Sequence, residues 1–258
     1  MPGSPSRLRA AASECMAHPH RCPRSLGVKR SVHQLQRPAI APSLLASDFA
    51  HLADEIHRAE DAGADLLHVD VMDGHLVPNI TIGPVVVEKV RAVTDLLLDV
   101  HLMISEPGRY IQAFAEAGAD NLTFHGEVVA DPEAMAGRIR ELGCTVGITI
   151  NPDGPVDRIE EAAPHVDMVL LMTIYAGFGG QAFMPEVLPT IHKVRGWLTA
   201  GQRIEVDGGI YTDTIGRAAD AGADTFVAGT AVFRAPDGDY ALAIRDLRQA
   251  AAEAMQGD

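Results

Sequence analysis

The chain has 258 residues, of which 47% are apolar and 22% charged, so it can bury a large core in one or two domains. No run of about 18 apolar residues occurs, which argues against a membrane span. The formal net charge of −14 disfavours nucleic acid and anionic membranes as partners. Cys15, Cys22 and Cys144 match neither a disulfide framework nor a metal-binding spacing, and the cytoplasm is the expected location.

The first 37 residues differ in charge from the rest of the chain. They contain seven basic residues and one acidic residue, Glu14, and lack the apolar core of a secretory signal. This Arg-rich, acid-poor composition is typical of an organellar transit peptide, which would direct the protein to an organelle. No amphipathic helical stripe runs through the segment, which favours a disordered extension or a start assigned too early. We therefore expect the folded domain to span residues 38–258.

One phrase occurs three times beyond residue 38. It reads AGADLLHVDV from Ala62, AGADNLTFHG from Ala117 and AGADTFVAGT from Ala221. Each phrase follows a helical pattern and leads into a short apolar run. A glycine at this point is typical of the left-handed residue that ends a helix. Each phrase therefore predicts a helix, a glycine stop and a buried strand.

Weaker versions of the same unit fill the intervals. Further strands are predicted over residues 39–42, 96–102, 145–150, 168–172 and 203–207, and helices over residues 84–93, 132–142, 155–162 and 186–198. Strands that are apolar on both faces and alternate with helices indicate a parallel sheet covered on its outside. Eight such units in roughly 220 residues predict a single α/β domain, a (β/α)8 TIM barrel. The alternative is a doubly wound open sheet, but the Gly-rich first turn that it requires is missing.

Polar side chains end three of the predicted strands. In LLHVDVM, alternation places His68 and Asp70 on one face of the second strand. His101 ends the third strand and Asp207 ends the seventh, so all four side chains are expected at the same mouth of the barrel. A single histidine at a strand end is more often structural, but two buried carboxylates without a cation would cost several kcal/mol each. The set predicts one divalent metal, with Zn, Mn, Fe and Co all compatible.

Glycine-rich loops follow the last three predicted strands. The loops read GFGGQ after the sixth strand, DGGI after the seventh and AGTAVF after the eighth. Barrel enzymes often hold a substrate phosphate with backbone N–H groups in this region, and glycine permits the close approach. Ordinary turn glycines are the alternative. The candidate phosphate-binding residues are Gly177, Gly179, Gly180, Gly208, Gly209, Gly229 and Thr230.

Three methionines lie close to the predicted metal ligands. Met72 and Met103 each follow a ligand by two residues and share its face, and Met172 ends the sixth strand. Methionine at such positions is usually core filling. Here the three side chains are expected to form an apolar cap that contacts the substrate and excludes water.

Five segments resemble those of the ribulose-phosphate 3-epimerase family. They are IAPSLLASDF, HVDVMDGHLVPN, DVHLMI, LLMTIYAGFGGQAFMPE and IEVDGGI, in the family's order, and the resemblance covers residues 38 to about 251. It implies a ribulose-phosphate-binding barrel that epimerises C3 of a ketopentose 5-phosphate, converting D-ribulose 5-phosphate to D-xylulose 5-phosphate. It also implies that His68, Asp70, His101 and Asp207 are the metal ligands. Of these four, Asp70 and Asp207 would also be the acid/base catalysts. Ser43 and His101 would contact the sugar phosphate.

The chemistry is consistent with these residues. Epimerisation next to a ketone removes a proton on one face and returns one on the other, and Asp70 and Asp207 can supply the base and the acid. A cation would stabilise the enediolate charge as a Lewis acid. Barrels of this kind commonly associate, so a homo-oligomer is expected.

Two alternatives stay open from the sequence. Tyr175-Ala176 replaces the family's usual Asn-Pro, which leaves D-allulose 6-phosphate or a tetrulose phosphate as possible substrates. A non-epimerase phosphate-binding barrel is the alternative of a different class. Decarboxylation or indole-type chemistry generally requires an interior lysine, and no predicted strand end carries one.

Overall fold

The computed structural model describes residues 29–256, and within them eight strands alternate with helices. The strands are β1 (Ala39–Ala41), β2 (Leu66–Met72), β3 (Leu97–Met103), β4 (Asn121–His125), β5 (Thr145–Ile150), β6 (Met168–Met172), β7 (Arg203–Asp207) and β8 (Thr225–Val227). The helices are α1 (Leu52–Asp61), α2 (Pro84–Val93), α3 (Ile111–Ala117), α4 (Pro132–Glu141), α5 (Asp157–Ala162), α6 (Leu188–Arg195), α7 (Ile215–Asp220), α8 (Thr230–Phe233) and α9 (Tyr240–Met255). No helix within residues 29–256 is long and apolar enough to cross a membrane.

The strands form a parallel barrel. Their order is β1-β8-β7-β6-β5-β4-β3-β2, and every neighbouring pair in this order is parallel. A parallel bridge between Ser43 and His68 joins the two ends of the order. A hydrogen bond from the His68 N–H to the Pro42 carbonyl oxygen, 3.1 Å long, strengthens this closure. The predicted (β/α)8 TIM barrel is therefore confirmed, and the open-sheet alternative is wrong.

The repeated phrase ends helices as its glycines predict. Gly63, Gly118 and Gly222 have φ values of 88°, 113° and 112°, in the left-handed region that glycine enters without a side-chain clash. Each lies between a helix and the next strand, and the chain reverses direction there to re-enter the barrel. The common phrase thus has a common backbone role.

The aspartate of the repeated phrase binds the backbone of a neighbouring strand, a role that the sequence did not indicate. Asp65 accepts a hydrogen bond of 2.8 Å from the N–H of Ile40, the second residue of β1. Asp120 accepts one of 2.9 Å from the N–H of Leu98 in β3. In both cases the carboxylate lies at the start of one strand and satisfies a backbone donor of its neighbour, which aligns the two strands.

Residues 29–37, which the sequence assigns to the extension, pack against the bottom of the barrel. Val32 is fully buried in an apolar layer at the bottom of the barrel. The Lys29 ammonium donates to the carbonyl oxygens of Ala115 and Ala119. Basic composition concealed this packing, because the charged head groups bind backbone carbonyls while the apolar residue enters the core. Residues 1–28 of the predicted extension lie outside the described residues.

Strand alternation divides β2 between two environments. Val69 and Val71 point outward into the main core between the barrel and its helices. His68, Asp70 and Met72 point into the barrel, and all of β2 is buried. The fold therefore places polar side chains inside the barrel near its C-terminal mouth.

Candidate active site

A cavity of about 370 Å³ opens at the C-terminal mouth of the barrel. Its lining includes most of the residues that the sequence singled out, namely Ser43, Asp70, Met72, Met103, Met172, Gly177, Gly179, Gly180, Asp207, Gly208, Gly209, Gly229 and Thr230. His68 and His101 are fully buried beneath this cavity. The strand ends and loops that the sequence predicts at one mouth of the barrel are thus neighbours in space.

The four predicted metal ligands converge. Ligand atoms from His68, Asp70, His101 and Asp207 all lie within 4.8 Å of one another. The Asp70 Oδ1 atom is 3.4 Å from His68 Nε2 and 3.6 Å from His101 Nδ1. Neither of these imidazole nitrogens has a hydrogen-bond partner among the described residues, although both are buried. Unpaired buried nitrogens of this kind are uncommon and require an explanation.

A divalent cation fits this arrangement. Neutral imidazole nitrogens and ionised carboxylates are ligands for first-row divalent metals, and a cation would accept both unpaired lone pairs. It would also balance two buried negative charges that otherwise lie close together. The cluster can therefore hold a divalent metal, and its donors do not distinguish among Zn, Mn, Fe and Co.

The orientation of His68 is set from below. Its Nδ1 atom lies 2.6 Å from Asp99 Oδ2, and Asp99 Oδ1 accepts a hydrogen bond of 2.7 Å from the Asn121 amide. A proton on Nδ1 donates to this carboxylate and leaves the Nε2 lone pair facing Asp70. Sequence reasoning missed Asp99, although the signal was present: it precedes His101 by two residues and therefore points into the barrel.

Glu205 completes this buried polar layer. It is fully buried, and neither carboxyl oxygen has a hydrogen-bond partner among the described residues. Burial and the charge of Asp99 raise its pKa well above the ordinary value. Glu205 also precedes a predicted ligand by two residues, so the same alternation would have identified it.

The two carboxyl groups at the mouth have opposite tendencies in the protein alone. Burial raises the pKa of Asp70, but His68 and His101 outweigh burial and hold it below the usual range. Burial and the charge of Asp70 raise the pKa of Asp207 to about 7. Asp70 therefore favours the ionised form, which accepts a proton, whereas Asp207 is more readily protonated and can donate one. A cation between them would favour the charged form of both.

Ser43 and the methionines surround the reacting end of the cavity. The Ser43 hydroxyl donates to Asp70 Oδ2 over 2.5 Å, so it fixes the carboxylate and lies beside the expected substrate. Met72 and Met103 pack together in a small apolar cluster, and Met172 packs in a neighbouring one. All three methionines are at most 4% exposed. They line the same cavity as Asp70.

Gly208 and Gly209 bring the backbone after β7 directly to the cavity. Their φ values are 125° and 64°, which side-chain-bearing residues rarely adopt. A Cβ atom on Gly208 would overlap Ile174, and one on Gly209 would overlap the backbone of Phe183. These two glycines are therefore required by the backbone path and by close packing, whether or not they also bind phosphate.

Tyr175 and Arg234 have positions that sequence reasoning did not predict. The Tyr175 side chain is 46% exposed and lies outside the cavity lining, whereas its neighbour Ala176 lines the cavity. The tyrosine that departs from the family pattern therefore does not shape the cavity. Arg234, just after α8, is the only basic side chain in the lining within residues 29–256. A positive charge there suits an anionic group.

Comparison with solved structures gives the class of fold. KGPDC from Streptococcus mutans superimposes with a TM-score of 0.63 over 83% of this chain and 98% of that protein, at 18% sequence identity. At this identity the likeness concerns the fold alone, and it agrees with the TIM barrel described above.

Comparison of sequences gives the family. The pattern of the ribulose-phosphate 3 epimerase family matches residues 39–233. A relative named ribulose-phosphate 3-epimerase from Mycobacterium tuberculosis (strain ATCC 25618 / H37Rv) is 51% identical over 84% of this chain and 94% of its own length. One of the same name from Bacillus subtilis (strain 168) is 50% identical over 79% of this chain and 95% of its own length. The chain belongs to the ribulose-phosphate 3-epimerase family and is an epimerase, so the predicted resemblance is confirmed.

Proposed function

We propose that this enzyme catalyses metal-dependent epimerisation at C3 of a ketose phosphate, converting D-ribulose 5-phosphate to D-xylulose 5-phosphate. The observation that carries the proposal is the convergence of Asp70 and Asp207 with two unpaired histidine nitrogens at one cavity. Relatives named ribulose-phosphate 3-epimerase, which are 51% and 50% identical to this chain, support ribulose 5-phosphate as the substrate.

Asp70 and Asp207 perform the two proton transfers. They come from β2 and β7, which are separated in the barrel by β1 and β8, so they approach the cavity from different sides. One carboxylate removes the C3 proton on one face of the sugar and the other returns a proton on the opposite face, through a 2,3-enediolate. The reaction has no net redox change and requires no nicotinamide or flavin.

His68, Asp70, His101 and Asp207 hold one divalent cation. When bound, it supplies Lewis-acid stabilisation of the negative charge that develops on the ketone and hydroxyl oxygens of the sugar. The Ser43 hydroxyl keeps Asp70 in place and contacts the substrate. The three methionines exclude water, which strengthens electrostatic interactions at the reacting carbon.

The phosphate of the substrate lies at the glycine-rich side of the same cavity. Glycines of the loops after β6, β7 and β8 line the cavity there, and the lack of a side chain permits a phosphate to approach the backbone closely. Arg234 lines this part of the molecule and supplies the positive charge that a phosphate favours. No lysine lines the cavity within residues 29–256, which disfavours the alternative class of lysine-dependent barrel chemistry.

Incubation with D-ribulose 5-phosphate in D₂O tests the proposal. The expected product is D-xylulose 5-phosphate that carries deuterium at C3, detected by NMR. Parallel reactions contain D-allulose 6-phosphate and a tetrulose phosphate, and the pentose should have the highest kcat/KM. If neither xylulose 5-phosphate nor C3 deuterium forms, the pentose assignment is wrong, and turnover of another ketose phosphate would identify the substrate.

A further inference from the structure

His101 contacts a second histidine that is outside the proposed metal set. His101 Nε2 lies 3.0 Å from His125 Nε2, and both rings are fully buried. Two imidazole nitrogens at this distance form a hydrogen bond only if one carries a proton and the other a lone pair. The positions of the protons on the two rings are therefore linked.

Glu127 decides which ring donates. The His125 Nδ1 atom lies 3.2 Å from Glu127 Oε2. Partial burial raises the pKa of Glu127, but hydrogen bonds from His125 and from the backbone of Asn151 outweigh it and lower the pKa to about 2. An ionised carboxylate only accepts hydrogen bonds, so neutral His125 must carry its proton on Nδ1. His125 Nε2 then accepts from the Nε2–H of His101, which leaves the Nδ1 atom of His101 unprotonated.

We propose that Glu127 is a positioning residue that sets the tautomer of His101 through His125, and so keeps His101 Nδ1 available as a metal ligand. The inference rests on the metal site proposed above, because Nδ1 is the His101 atom that faces Asp70. It assigns to Glu127 and His125, which do not touch the cavity, a role like that of Asp99 for His68. Partners of this kind typically change metal affinity by about 10 to 100-fold.

The other oxygen of Glu127 makes the proposal testable. Glu127 Oε1 accepts from the Asn151 N–H over 2.6 Å and from the Asn151 side-chain amide over 3.2 Å. The Asn151 side-chain oxygen accepts in turn from the N–H of Ala176 over 3.2 Å, which fixes the amide so that its NH₂ group faces Glu127. Whatever occupies the Oε1 position must therefore be an acceptor.

This constraint gives Glu127→Gln an unusual expected effect. The amide oxygen of the variant must occupy the Oε1 position, so its NH₂ group faces His125 and donates to Nδ1. His125 then carries its proton on Nε2 and donates to His101 Nε2, which places the His101 proton on Nδ1, directed at the metal site. Glu127→Ala removes the constraint without reversing it. The conservative variant should therefore be the more damaging one.

Metal affinity of the full chain, measured by competition for Zn²⁺ with a chromophoric chelator, is the first test. Glu127→Gln should weaken binding about 100-fold and Glu127→Ala about tenfold or less. If Glu127→Gln binds as tightly as the wild type, or more tightly than Glu127→Ala, the proposal is wrong. Thermal unfolding of both variants is measured in parallel. A general loss of stability would not make Glu127→Gln bind Zn²⁺ more weakly than Glu127→Ala.

The tautomer itself is the second test, and it does not depend on the folding of either Glu127 variant. In ¹⁵N-detected NMR of the metal-free wild type, with the His101 signals assigned by their loss in His101→Gln, the proton should reside on Nε2. A proton on Nδ1 would overturn the proposal. A wild type that binds no metal would instead contradict the proposed function, and the tautomer measurement would still decide the role of Glu127.

Discussion

Asp207→Asn separates proton transfer from the shape of the active site. The side chain keeps its size at the end of β7, but it can neither accept nor donate the proton as a carboxyl group. A positioned acid or base contributes about 10² to 10⁴-fold to a rate. We therefore expect kcat to fall at least about 10²-fold, or about 2.7 kcal/mol in activation free energy, when metal and substrate are saturating. Coupled spectrophotometric detection of xylulose 5-phosphate measures this loss.

The loss of activity in Asp207→Asn should not be accompanied by a loss of stability in the metal-free protein. A ligand oxygen of Asp207 lies within 4.8 Å of one from Asp70, so the substitution removes a like-charge repulsion from the metal-free protein. The metal-free variant should unfold at no lower temperature than the wild type. Asp213→Asn is the matched control, because Asp213 is an exposed acid in the loop after β7, and its kcat should be unchanged. A metal-saturated Asp207→Asn enzyme within tenfold of wild-type kcat would refute the reasoning.

Three further predictions concern the cation, the phosphate and the fold. Dialysis against a chelator should abolish turnover, and Zn, Mn, Fe or Co added singly should restore it in at least one case, as measured by activity and elemental analysis. Arg234→Ala should raise KM about tenfold, or about 1.4 kcal/mol, with little change in kcat, because it removes charge from the phosphate end. Gly63→Ala should lower the free energy of unfolding by about 1 kcal/mol, and Gly118→Ala by at least as much, because both glycines have left-handed backbones; urea unfolding measures both losses. Gly118→Ala should cost more, because its Cβ would lie 2.5 Å from Arg91, whereas nothing lies within 4 Å at Gly63.

The sequence predicted most of the barrel because local rules govern it. Strands β5, β6 and β7 have the predicted bounds, and β3 differs by one residue at each end. Because side chains alternate between the two faces of a strand, the sequence predicted that His68, Asp70 and His101 point into the barrel. The structure brings these side chains together with Asp207. Their roles as ligands and catalysts, the homo-oligomer and the cytoplasmic location stay predictions.

Contacts between distant segments could not be predicted in the same way. Glu127 follows β4 and reaches Asn151 beyond β5, and no periodicity of either segment indicates this contact. Residues 29–37 were assigned to the tail from their charge, although the buried side chain of Val32 and the hydrogen bonds of Lys29 hold them against the barrel. Tyr175 left other substrates open in the sequence analysis, but its side chain is exposed and outside the cavity lining, because the sequence pattern does not specify loop backbone conformation.

Hydrogen exchange at C3 in D₂O, compared between Asp70→Asn and Asp207→Asn, tests the two-carboxylate mechanism most directly. Each variant keeps one carboxylate, which can still remove the proton from the epimer that faces it and return deuterium to the same face. Each variant should therefore exchange C3 hydrogen in only one of the two sugars, ribulose 5-phosphate or xylulose 5-phosphate, with epimerisation lost. The two variants should act on opposite sugars. Exchange of both sugars by one variant at wild-type rates, or the same sugar exchanged by both variants, would contradict the account.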